Sequence, residues 1–91
     1  MTTKNKVGKR PGPIVEIEWF DAQSSMESMS IEEIKEHLKP MHTMSVGYLL
    51  HDTDNYIVLG FMDFGNGFIK HHQVIPKGMI VNKTRIKHVK R

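Results

Sequence analysis

Cysteine is absent from the 91 residues. That excludes a disulfide framework, a thiolate zinc site and a thiol nucleophile. Long apolar runs are absent too, and none approaches the ~20 residues of a helical membrane span. The first thirteen residues, MTTKNKVGKRPGP, have the charge of a signal peptide but no apolar stretch behind it. A soluble cytoplasmic protein is therefore expected. Hydrophobic residues make up 38% and charged residues 25%, close to globular averages, which argues against a wholly disordered chain. At 91 residues the chain is one small domain. Without staples it needs a well-packed core or an oligomer.

Acid is missing from both ends. Residues 1–12 carry Lys4, Lys6, Lys9 and Arg10 and no carboxylate. Residues 83–91 carry Lys83, Arg85, Lys87, Lys90 and Arg91, again with none. Nine of the 13 basic residues lie in these two segments. The body between them sets four lysines against all ten acids, a formal charge of −6. The net charge of +3 is thus the sum of an acidic body and two basic ends. Basic ends of this kind contact phosphate or other anionic partners, or simply keep the chain soluble.

Residues 1–12 have no periodicity and contain Gly8, Pro11 and Gly12, so they read as a flexible basic arm. The domain then runs over 13–91. Val15, Ile17 and Trp19 alternate with Glu16 and Glu18, the period of a half-buried strand. Residues 21–29 read as loop. Ser30 followed by Glu33 forms a capping box, with Met29 and Ile34 placed for a hydrophobic staple. Ile31, Ile34 and Leu38 fall on one face of a short helix that Pro40 stops. Strands are expected next over 44–50, 56–62, 68–75 and 79–89. The connections are the polar break 51–55, the Gly65-Asn66-Gly67 turn and the Pro76-Lys77-Gly78 break. Asn66-Gly67 is expected to supply two positive φ angles.

Five short strands cannot bury a flat sheet alone, whereas a strongly bent sheet closed into a small barrel can. The expected fold is mainly β, a Src-homology-3-like or Sm-like barrel of about five strands with one short helix after the first. An α+β layer of one helix on a meander is the alternative.

The last strand carries the main candidate site. Lys83, Arg85 and Lys87 alternate and would project from one face, with Ile80, Asn82, Thr84 and Ile86 on the other. Such a stripe tracks a phosphate backbone or marks a solvated edge strand. Lys9 and Arg10 add to it from the N-terminal end. Phe64 and Phe68 flank the Gly-Asn-Gly turn and are candidates for stacking bases, although most rings of a small barrel build its core. No aromatic ribonucleoprotein motif, helix-turn-helix signature or zinc finger is present.

Six histidines (His37, His42, His51, His71, His72 and His88) have no HExxH-type spacing. His71 and His72 would point to opposite faces of a strand. Asp52, Asp54 and Asn55 open like a calcium loop but lack its Gly and distant Glu. No metal and no cofactor is therefore expected. Asp63-Phe64-Gly65 matches a kinase tripeptide without the rest of a kinase, and Ser45 with nearby His51 reads as a coincidence of composition. No enzymatic activity is expected.

Three runs carry a resemblance. They are Val15-Glu16-Ile17-Glu18-Trp19 with Asp21-Ala22, then Ser45-Val46-Gly47-Tyr48-Leu49-Leu50-His51-Asp52, then Ile75-Pro76-Lys77-Gly78-Met79-Ile80. Over residues 14–86 the chain resembles small uncharacterised proteins of tailed bacteriophages. The resemblance assigns no functional residue. It implies a protein that binds a host component: a host enzyme, nucleic acid, or a nucleotide signal of host immunity.

The sequence therefore points to a non-enzymatic binding module. It would contact nucleic acid, or a host protein that processes nucleic acid, through Lys83, Arg85, Lys87, Lys9 and Arg10. One alternative is an oligomeric sponge that sequesters a nucleotide immune signal. Another is a protein inhibitor that uses the acidic body, with Glu16, Glu18, Glu32, Glu33 and Glu36 as its face. A homo-oligomer formed across an open strand edge is also expected.

Overall fold

Alternation along the first strand decides where the core lies. Val15, Ile17 and Trp19 of β1 (Ile14–Asp21) are buried, while Glu16 and Glu18 between them stay on the outer face. The computed structural model describes residues 10–87, and the remaining elements come in the expected order. These are α1 (Ile31–His37), β2 (Met41–Asp52), β3 (Tyr56–Asp63), β4 (Ile69–Pro76), a 3₁₀ turn (Lys77–Met79) and β5 (Ile80–Arg85).

The strands form one antiparallel sheet in the order β4-β3-β2-β1-β5. Consecutive strands are neighbours except at the last step. There the 3₁₀ turn, packed against β1 and β3, carries the chain from one sheet edge to the other. The result is the mainly β, barrel-like architecture expected, with one short helix after the first strand. Ile17, Ile57, Leu59 and Ile75 are fully buried and come from three strands, with Leu49, Met79 and Ile80 packed against them. Trp19 closes one end of this core. Its indole Nε1 donates to Ser45 Oγ at 3.0 Å, and Ser45 in turn donates to Gln73 Oε1 at 3.1 Å. A buried Trp usually finds such a partner.

Two irregularities set the register. β2 has an extra residue at Leu50, where its pairing with β3 shifts. β5 has one at Val81: Asn82 pairs with Glu18, but Ile80 pairs with Trp19. An extra residue reverses the facing of everything beyond it. Ile80 therefore shares the inner side of β5 with Lys83 and Arg85, contrary to the strict alternation expected, and packs on the core.

Several expectations need correction. β2 begins at Met41, before the expected start at 44, because Met41–Thr43 pair with Trp19–Asp21 whatever their exposure. β5 ends at Arg85 rather than 89, and residues 88–91 lie outside the described region. Of the expected flexible arm 1–12, residues 1–9 also lie outside it. Residues 12 and 13 are docked on the sheet: Leu49 N–H donates to the Pro13 carbonyl at 2.8 Å. Gly12 sits so close to Leu49 that a Cβ would collide with its carbonyl oxygen.

The helix start is as read. Ser30 Oγ accepts from Glu33 N–H at 3.1 Å, and Glu33 Oε1 accepts from Ser30 N–H at 3.0 Å. No residue of α1 is buried, and Ile31, Ile34 and Leu38 all remain exposed. The α+β alternative fails for the same reason, since the helix does not cover the sheet. The β3–β4 turn also differs. Positive φ falls on Gly65 and Gly67, not on Asn66. Asp63 and Asn66 each accept a backbone N–H two residues on, from Gly65 and Phe68, which closes the loop as two successive Asx turns.

Candidate phosphate-binding groove

Pairing of β1 with β5 brings the two ends of the described chain together. Val15 lies opposite Arg85, and Ile86 N–H donates to the Ile14 carbonyl at 2.8 Å, so the segment before β1 runs beside the segment after β5. Anchoring of residues 12 and 13 on Leu49 fixes the approach of the N-terminal segment. A groove of about 700 Å³ opens between the two segments. Arg10 lines it from one side, Arg85 and Lys87 from the other, over a floor that includes Pro13, Ile14 and Ile86. Among the described residues no acidic side chain lines it.

Three of the five basic residues singled out from the sequence thus share one site. Lys9, the fourth, lies outside the described residues. Lys83, the fifth, is on the same side of β5 as Arg85 and two residues away, but its ammonium is engaged. Asp52 at the end of β2 accepts from Lys83 Nζ at 3.3 Å through one oxygen and from Lys77 Nζ at 2.7 Å through the other. The Lys77 hydrogen bond, then that of Lys83, holds the Asp52 carboxyl below its ordinary pKa. Neither Lys77 nor Asp52 had a signal in the sequence that marked it for this site. Lys77 sits in a three-residue break, and Asp52 in a hairpin loop that resembles many others.

The aromatic pair is placed elsewhere. Phe64 and Phe68 are exposed, at 56% and 70%, as stacking side chains must be. Gly60 lies level with Tyr48 and Ile14, so the 64–68 turn lies beyond them towards the Trp19 end of β1. Neither phenylalanine lines the groove. A second hollow of about 610 Å³ lies at that other end, between the C-terminus of α1 and the start of the β2 ladder. It includes Phe20, Leu38 and Met41 with His42, whose Nε2 is 2.7 Å from Glu18 Oε2.

Among the described residues no three His, Asp or Glu side chains converge as a metal site. Ser45 is held between Trp19 and Gln73, while His51 packs edge-on against Tyr56, so the two form no nucleophile–base couple. No helix of the described residues is long and apolar enough to cross a membrane. No family model, curated protein or solved structure matches the chain.

Proposed function

We propose that this protein is a non-enzymatic module that binds the phosphate backbone of nucleic acid through the groove between its two chain ends. The observation that carries the reading is the convergence of Arg10, Arg85 and Lys87, from opposite ends of the sequence, on one groove that no acid among the described residues lines. Guanidinium groups suit phosphate because their fixed fork presents two parallel donors. The apolar floor of Pro13, Ile14 and Ile86 offers a base or ribose a surface beside the phosphate contacts. The resemblance to small bacteriophage proteins supports a host target in the host cytoplasm.

A nucleotide sponge is the second reading, since the groove volume lies in the range of small-ligand sites. Titration of single-stranded DNA, single-stranded RNA, duplex DNA and a panel of cyclic dinucleotides separates the two. The first reading requires strand binding that weakens steeply as salt rises. Saturable binding of a dinucleotide with no affinity for strands would transfer the site to the second reading. Absence of binding to every ligand at low salt overturns both.

A further inference from the structure

Lys83 lies two residues from Arg85 on the same side of β5 but does not line the groove, and neither does Lys77. Same-side residues on a strand recur about every 6.8 Å, so Lys83 continues the line from Arg85 along β5. Beyond it stands Lys77, brought to the same point by the 3₁₀ turn, whose Lys77 N–H donates to the Asn55 carbonyl at 2.8 Å. Both ammonium groups converge on one carboxylate, that of Asp52. The pairs are only partly shielded: side-chain exposure is 40% for Lys77, 44% for Lys83 and 35% for Asp52. At such exposure an ion pair is weak and exchangeable.

Resting on the groove as the nucleic-acid site, we propose that Lys83 and Lys77 form a second phosphate position on the same track, with the Asp52 carboxylate as its internal counter-ion. A bound strand meets Arg10, Arg85 and Lys87 first. The next phosphate along displaces Asp52 from the two lysines. The held position costs affinity, because one ion pair must break for each new contact made. It also favours strands long enough to reach from the groove to the pair over a mononucleotide, which meets the groove alone. The length requirement comes from the second position itself, and Asp52 reduces what a strand gains by reaching it.

The test compares two charge-equivalent variants of the full chain. Asp52→Asn removes the carboxylate that holds the lysines. Asp54→Asn removes a nearby carboxylate that forms no ion pair with Lys77 or Lys83. Binding of a labelled oligothymidylate of about 20 nucleotides is measured by anisotropy at several salt concentrations, with thermal melts to establish that each variant is folded. Asp52→Asn is expected to tighten binding about two- to fivefold, and Asp54→Asn to change it little. Equal gains for both variants, or no gain for Asp52→Asn while the unaltered protein binds, overturn the counter-ion but leave the groove intact. No binding by any of the three proteins overturns the groove reading itself, and the counter-ion with it. Should Asp52→Asn fail to fold, Lys77→Gln carries the test against Lys39→Gln, a lysine at the opposite end of β1. Lys77→Gln must weaken strand binding about two- to fivefold where Lys39→Gln does not. Equal effects of the two overturn the proposal.

Discussion

Trp19 and Ser45 are diagonal neighbours across β1 and β2, Ser45 lying opposite Ile17, and the indole Nε1 donates to the serine hydroxyl at 3.0 Å. Ser45 donates its own proton to Gln73 on β4, so one short polar chain spans three elements at the end of the core. Ser45→Ala strands a donor on Trp19 and an acceptor on Gln73 in a partly buried site. The expected cost is about 1–3 kcal/mol, or a fall in Tm of roughly 4–8 °C per kcal/mol for a domain of this size. Trp19 is the only tryptophan, so its fluorescence reports the unfolding directly. A variant with unchanged stability would show that water replaces the hydroxyl at no cost.

Two isoleucines make opposite predictions. Ile17 is fully buried among residues of three strands, and Ile17→Ala should cost about 2–5 kcal/mol. Ile34 has the better-looking place in the sequence, at the fourth position of a capped helix. It is exposed, and Ile34→Ala should cost under about 1 kcal/mol. Urea denaturation of both variants checks the contrast. A large loss from Ile34→Ala at every protein concentration would mean that α1 packs on its own barrel. A loss seen at high protein concentration that shrinks on dilution would place the helix at a contact between copies.

Acid should loosen the junction between β2, the 3₁₀ turn and β5. Lys77 and then Lys83 lower the pKa of Asp52 in the folded chain. A carboxylate whose folded pKa is depressed adds stability above its ordinary value near 4, and that stability is lost as pH falls through the lower folded value. Glu33 acts in the same direction through its hydrogen bonds with Ser30. Thermal melts from pH 6 down to pH 2 should therefore show a decline that is shallower in Asp52→Asn. Parallel declines for the two proteins would remove Asp52 as a contributor.

The groove makes a prediction in salt dependence. Single-stranded DNA binding falls with log salt by about 0.7 for each neutralised phosphate. Replacing Arg85 and Lys87 together by Gln should reduce the slope by about 1.4 and weaken binding at low salt. Phe64→Ala, at the far end of the sheet, should leave both quantities nearly unchanged. The reverse pattern would move the site to the β3–β4 turn.

Much of this protein was legible before its structure. The alternation Val15-Glu16-Ile17-Glu18-Trp19 is local and one-dimensional, so it alone named one strand and half of the core. The capping box at Ser30 and Glu33 is likewise short-range and appears as expected, and the break expected at Pro76–Gly78 falls one residue later, at Lys77–Met79. The basic character of both ends was visible as charge. That Arg10 meets Arg85 and Lys87 was not, because it depends on β1 and β5 being neighbours across more than sixty residues. Nor was the fate of Lys83, whose partner Asp52 is 31 residues away.

By itself the sequence determined the elements, the acidic body and its basic ends, and the exclusion of thiol and disulfide chemistry, since these come from residue identity and local spacing. Only the tertiary structure decided which cations share a groove, which are neutralised, and that the amphipathic helix covers nothing. Those outcomes turn on strand order and on a single extra residue at Val81, which reverses the facing of Ile80. Long-range pairing leaves no local mark in a chain. The same residues that looked equivalent along β5 therefore ended in two roles, Arg85 in the groove and Lys83 held by a carboxylate.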